Sequence, residues 1–232
     1  MDHKITSIAK LSRYNNFWAH NLTIEASVMI KSIRHDNSEN IYFYFDLRDD
    51  SGEISAVAYN DACKKFFKAI KENKTYMING FGLETSDKYY TSIEHPKQLV
   101  LRVDSLIQFC GKAPLIDWRI SSLDGEEEDA KFFNVLGMCI DVAYTDTLPD
   151  KLVRRVILVD EEGNQVTLAV WNAETFIFDT LDLDLHPVFL VIDARHYNYG
   201  GREILTTSRY LQLLDPSDPR ACRVKNAQAS HF

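Results

Sequence analysis

The chain carries one pattern twice. IYFYFDLRDDSGEISAVAYN (residues 41–60) and RRVILVDEEGNQVTLAVWN (residues 154–172) each run along a hydrophobic strand into an acidic, glycine-containing turn. Each leaves it along a second strand that ends in an aromatic residue followed by asparagine. Asp49 and Asp160, Gly52 and Gly163, and Tyr59 and Trp171 recur at an offset of about 110 residues, the signature of an internal duplication. Two convergent hairpins are the alternative. With 232 residues the chain is long enough for two domains of about 100 residues each.

The segments around each unit agree with duplication. LTIEASVMIKSI precedes the first unit and FFNVLGMCIDVAY the second, both reading as strands. After the first unit, DACKKFFKAIKENK (61–74) places Cys63, Phe66, Phe67 and Ile70 at helical spacing; AETFIFDTLDL (173–183) predicts a shorter helix. TYMINGFGL and KYYTSIE then read as strands in the first half, and HPVFLVIDAR and REILTTSRYLQLL in the second. Each half is therefore β-β-β-α-β-β, the order of an OB-fold, a five-stranded Greek-key barrel that binds single strands or sugars. The expected architecture is all-β with short helices, as two tandem OB-folds. The first spans residues 1–108 and the second 131–232, with a linker at 109–130 marked by Pro114, Gly125 and the acidic run 126–129.

Alternation along the hairpins raises the functional question. Val166, Leu168 and Val170 fill one face of their strand, which leaves Trp171 on the other beside Thr167 and Ala169. Ile54, Ala56 and Ala58 do the same, leaving Tyr59 with Ser55 and Val57. A large aromatic beside small neighbours suits a stacked base, and equally suits a second apolar layer. Each half holds a further aromatic. Tyr90 shares a face with Ser92, and Tyr199 precedes a Gly-Gly turn between Arg195 and Arg202.

Charge and composition narrow the classes. Residues 1–108 carry 14 Lys and Arg against 14 Asp and Glu, and the rest 12 against 20, so the net charge of −8 falls on the second half. This is not the basic footprint of a typical nucleic-acid binder, although a local basic groove is compatible with it. No apolar run reaches the roughly 20 residues of a membrane helix, and MDHKITSIAK lacks the apolar core of a signal peptide, so a soluble intracellular protein is expected. The four cysteines show no metal-type spacing, and no cofactor is expected. The cluster Asp46, Asp49, Asp50 and Glu53 suits a solvated turn better than a metal site. No phosphate loop or nucleophile–base arrangement points to an enzyme.

These motifs, with SIAKLSRYNN, LTIEASV, DLRDDSGEISAVAYN, NVLGMCIDV, VDEEGNQVTLAVWN, DARHYNYGGREI and LLDPSDPRA in collinear order, resemble the central tandem OB-folds of the replication protein A large-subunit family. The resemblance covers nearly the whole chain. It implies single-stranded DNA binding in replication, repair or recombination, with RNA bound more weakly, in the nucleus, and alongside other subunits of a replication protein A-like complex. It carries the family's stacking aromatics onto Tyr59, Tyr90, Trp171 and Tyr199, and its cations onto Arg34, Arg154, Arg195 and Arg202. Some positions depart from the family. Glu84 and Ser55 stand where the family is basic, and the loop HDNSEN after Arg34 offers no cation beyond the mostly neutral His35. These losses imply weaker, less salt-dependent binding, and leave open an acidic paralog that serves as a protein-interaction, telomeric or meiotic module. The resemblance leaves equally open a fragment cut to the DNA-binding core and a two-fold paralog.

Overall fold

The computed structural model describes residues 5–15, 17–36, 40–121, 123, 131–149, 151–199, 202–207 and 209–229. The acidic run 126–129 and the Gly200-Gly201 turn lie outside them. Contacts divide the chain into two units that meet between Asp117 and Trp118.

The first unit begins with a helical turn, α1 (Ile8–Leu11). It continues through β1 (Phe17–Lys31), β2 (His35–Asp36), β3 (Ile41–Asp49), β4 (Gly52–Tyr59), α2 (Asn60–Phe66), β5 (Lys74–Thr85), β6 (Lys97–Leu101) and β7 (Leu106–Lys112). Five of these strands close on themselves. β1 pairs with β3 and with β5, β3 with β4, β5 with β6, and β4 runs parallel to β6. Closure leaves these five strands without a free edge. Ile24, Phe43, Phe45, Ile54, Ala56, Phe81 and Leu99 fill the barrel, and Ile8 and Leu11 of α1 pack into it.

The second unit repeats the plan with β8 (Phe133–Val142), β9 (Asp146–Leu148), β10 (Lys151–Val159), β11 (Gln165–Trp171), a 3-10 helix (Asn172–Thr180), β12 (Val188–Tyr199), β13 (Arg202–Thr206), β14 (Tyr210–Leu213) and α3 (Pro219–Ala229). β8, β10, β11, β13 and β12 close the ring, with β11 and β13 parallel. Val135, Leu158, Leu168, Val170, Phe189 and Val191 form its core.

The duplicated residues do the same work in both barrels. Asn60 and Asn172 sit at φ 48° and 51°, a left-handed turn that asparagine tolerates. Each swings the chain out of its strand and into the helix. Each side-chain oxygen accepts an amide at the start of the partner strand, from Ile41 or Leu152, both at 3.2 Å. The turn aspartates reach back to the lead-in segments. Asp49 Oδ2 accepts from Ile8 N at 2.7 Å, and Asp160 Oδ2 from Leu123 N at 3.1 Å. Asp49 is therefore engaged in structure, and no group of metal-ligating residues occurs among the described residues.

Several boundaries differ from the sequence expectation. β7 continues the first fold past residue 108, because Phe109 and Lys112 still pair with Tyr76 and Lys74 of β5. Ser121 N donates to Asn134 O at 2.8 Å, and Leu123 is buried in the second core, so this end of the expected linker belongs to the second fold. The helix expected over 61–74 stops at Phe66, where Lys31 Nζ binds the carbonyls of Phe67 (2.9 Å) and Ile70 (3.0 Å) and so satisfies the end of the turn. REILTTSRYLQLL is two strands, because the chain leaves the β11–β12 ladders after Thr206 and returns beside a different stretch of β12. KYYTSIE is a loop, and the fifth barrel strand is β6. Local bonds replace the ladder there. Asp87 Oδ1 accepts from Tyr89 N (2.9 Å), Thr91 Oγ1 from Ile93 N (3.2 Å), and Lys88 Nζ donates to the carbonyls of Ile93 and His95 (both 2.5 Å).

Candidate nucleic-acid interface

On β11 the predicted alternation holds. Leu168 and Val170 face the barrel core, while Trp171 and Ala169 lie on the outer face. Cross-strand partners share a face, so Val153, paired with Trp171, lies there too. Ile204 and Tyr197 complete a small outer layer. Trp171 therefore covers a second apolar layer, one of the two roles suggested by the sequence, and its ring stays half-exposed above it. Its indole is held in place. Nε1 donates to Thr206 Oγ1 at 2.5 Å, and Tyr197 meets the ring edge-on at a centroid distance of 5.4 Å. Lys151 Nζ stands 5.9 Å from the ring centroid. A fixed aromatic loses little freedom when a planar ligand stacks on it.

The first fold places Tyr59 at the matching position, but its surroundings are more aromatic. Tyr59 pairs with Tyr42 of β3, and Tyr42 with His35 of β2. The Tyr42 and Tyr59 centroids are 5.9 Å apart, Tyr42 and Tyr44 5.5 Å, and His35 and Tyr42 4.9 Å. Tyr90 rides the loop after β5, 42% exposed, edge-on to Tyr89 at 4.8 Å. Tyr199 lies on β12, two residues beyond Tyr197, and pairs with Arg202. The side chains of Tyr199 and Arg202 lie outside the described residues.

The cations divide between faces. Arg195 pairs with Thr206 on β13, which places it on the Trp171 face. Arg34 lies exposed just after β1, next to His35, and forms a loose pair with Asp36 at 3.5 Å. Arg154 does not join Trp171. It pairs with core-facing Val170, points to the opposite side of β10, and caps the barrel end through Asp179 (2.7 Å) and Thr145 Oγ1 (2.7 Å), with its side chain 13% exposed. The next residue, Arg155, pairs with Ala169 on the outer face and stays half-exposed beside Asp146 at 3.4 Å. In a strand, one position reverses the face.

The first fold's departures also take physical form. Glu84 pairs with Gln98 on the tyrosine face and is exposed. Ser55 is buried under the loop after β5, its hydroxyl 3.4 Å from Thr91 Oγ1, so it reaches no phosphate. Sequence reasoning missed Tyr42, Tyr44, Tyr197 and Arg155. The alternation of IYFYF and RHYNY carries the signal for the three tyrosines, once the core-facing phase is known.

In the second fold, Glu174 of the 3-10 helix is buried, and burial pushes its carboxyl up to about 7 against a hydrogen bond from Thr207. A carboxyl raised in the folded state contributes stability below its ordinary pKa, and that contribution is lost as pH rises through 7. Glu174→Gln should therefore raise the second fold's stability at pH 8 by up to about 3 kcal/mol and leave it nearly unchanged at pH 4. Thermal melts at the two pH values check this, and equal effects at both would refute it.

Comparison with known proteins places this geometry. Residues 23–107 match the family model "OB-fold nucleic acid binding domain". The replication protein A 70 kDa DNA-binding subunit of Gallus gallus is 28% identical over 96% of this chain and 38% of its own length. Replication factor A protein 1 of Saccharomyces cerevisiae is 26% identical over 95% of the chain and 37% of its own. The chain thus spans under two fifths of these relatives. A solved replication protein A heterotrimer bound to single-stranded DNA matches 97% of this chain and 55% of that one, with a TM-score of 0.73 at 23% identity, which establishes the shared fold. Across nearly its entire length, the chain is homologous to the replication protein A 70 kDa subunit, over two tandem OB-folds.

Proposed function

We propose that the chain binds single-stranded DNA, with each fold stacking bases on its own outer aromatic face. One observation carries this reading: Tyr59 and Trp171 occupy matching strand ends in two homologous barrels, each backed by further rings on the same face. Base–aromatic stacking contributes about 1–3 kcal/mol per base whatever the base. Arg34, Arg155 and Arg195 supply the phosphate contacts. Exposed ion pairs such as Arg155–Asp146 are weak enough for phosphate to displace the carboxylate. Tyr90, Tyr199 and Arg202 complete the sites. On this reading the chain is a binding module rather than an enzyme, nuclear, and a partner of other subunits in a replication protein A-like complex. Homology to DNA-binding subunits supports each of these points. RNA is expected to bind more weakly.

Fluorescence anisotropy of labelled oligo-dT against the full chain tests the reading, and no binding at low salt would overturn it. The same titration repeated across salt concentrations separates the two adjacent arginines. Arg155→Ala should reduce the slope of log affinity against log salt by about 0.7, the loss of one phosphate contact on a single strand. Arg154→Ala should leave the slope unchanged and lower the melting temperature, because its partners are Asp179 and Thr145. A slope that falls for Arg154→Ala alone would reverse the assignment.

A further inference from the structure

The first fold's aromatic residues are more than a single platform. His35, Tyr42 and Tyr59 occupy directly paired positions on three adjacent strands, β2, β3 and β4. Side chains at paired positions share a face. Their rings therefore form a row across the strands, His35 stacked on Tyr42 at a centroid step of 4.9 Å and Tyr59 tilted by 51° to Tyr42 at 5.9 Å. Tyr44 backs the row edge-on, 5.5 Å from Tyr42 and 6.3 Å from His35. The middle ring and both ends remain partly exposed.

Resting on the reading that this fold binds single-stranded DNA, we infer that the row His35–Tyr42–Tyr59 is an extended stacking track that takes successive bases, with His35 at its far end. Three features support it. The steps exceed the roughly 3.4 Å per nucleotide of a base-stacked strand, so a strand on the track is splayed with its bases set against rings. The track is almost uncharged. Glu84 shares its face, Arg34 beside it is paired with Asp36, and burial lowers the His35 imidazole to about 4, which leaves it neutral at pH 7. Arg34 beside the row can take a phosphate, while the rings themselves carry no cation and hold a strand through its bases. Finally, His35 Nε2 is buried without a hydrogen-bond partner among the described residues. A turn of the imidazole that brings Nε2 to the surface would let a base edge or phosphate oxygen supply one.

Photo-cross-linking tests the track on the unaltered chain. Oligo-dT with 5-iodouracil at one position at a time is irradiated with the full chain, and the adducts are located by mass spectrometry. Adducts on Tyr42 or His35 at positions neighbouring those that label Tyr59 are expected. Adducts on Tyr59 and the second fold, with none on Tyr42 or His35, overturn the track. The combined variant His35→Leu/Tyr42→Leu keeps apolar bulk and should lose about tenfold or more in oligo-dT affinity, with the second fold's melt unchanged. Undiminished affinity overturns the track. If the variant fails to fold, the cross-links decide alone. An unaltered chain that does not bind oligo-dT refutes the underlying DNA reading. Binding with no involvement of His35 or Tyr42 refutes the track only.

Discussion

Alanine at both Tyr59 and Trp171 is expected to lower oligo-dT affinity by about thirtyfold at the least and up to about ten-thousandfold, since each lost ring removes about 1–3 kcal/mol of stacking. The effect should be large because each ring is positioned before the ligand arrives. Trp171 is held by Thr206 and Tyr197, and Tyr59 leans on Tyr42. Trp171→Ala also uncovers Val153, Ala169 and Ile204, so the fold must be followed by a melt. Tyr59→Phe with Trp171→Phe provides the control. Both variants keep a π-face and should stay within about tenfold of the parent. Alanine variants that melt as the parent does and bind with unchanged affinity would remove the aromatic platform from the mechanism.

Asp160→Ala should destabilise the second fold by about 3–4 kcal/mol. Asp160 is 5% exposed and organises four donors: Leu123 N (3.1 Å) and Asn164 Nδ2 (3.2 Å) on one oxygen, Glu162 N (3.1 Å) and Asn164 N (2.8 Å) on the other. Truncation strands the Leu123 amide in a buried site and opens the turn. Each unmet buried donor costs about 1–3 kcal/mol. Asp49→Ala, its counterpart, should cost less, about 1–2 kcal/mol. Its Oδ1 serves Ser51 at the exposed turn, and only the Ile8 amide is part-buried. Denaturant unfolding of the single variants measures both. An Asp160→Ala variant as stable as the parent would show that the lead-in segment does not depend on this cap.

The duplicated hairpin made most of the fold legible. Period-two alternation shows which residues of β4 and β11 enter the core, and the recurring Asp, Gly and Asn mark turns whose geometry those residue types tolerate. Trp171 could therefore be placed on the outer face from VTLAVWN alone. Alternation was a poorer guide where the chain satisfies its hydrogen bonds locally. KYYTSIE alternates as a strand does, yet Lys88, Asp87 and Thr91 bond their own backbone and hold it as a loop. Tyr90 therefore stands on that loop rather than on a ladder. The same limit broke REILTTSRYLQLL in two and shortened the helix expected over 61–74.

The sequence by itself determined the two barrels, their order, and the strand ends that carry an outward aromatic, because side-chain alternation and turn chemistry are properties of neighbouring residues. Only the tertiary structure decided which side chains share each face. Register between strands joins Tyr42 to Tyr59 and to His35, and it separates Arg154 from Arg155. The bulge at Asp193 (φ 60°) shifts the β8–β12 register between Val191 and Ala194, and beyond it Arg195 and Tyr197 come to the Trp171 face. Those pairings are made between segments distant in sequence. A slip of one residue leaves every local preference intact and turns the face over.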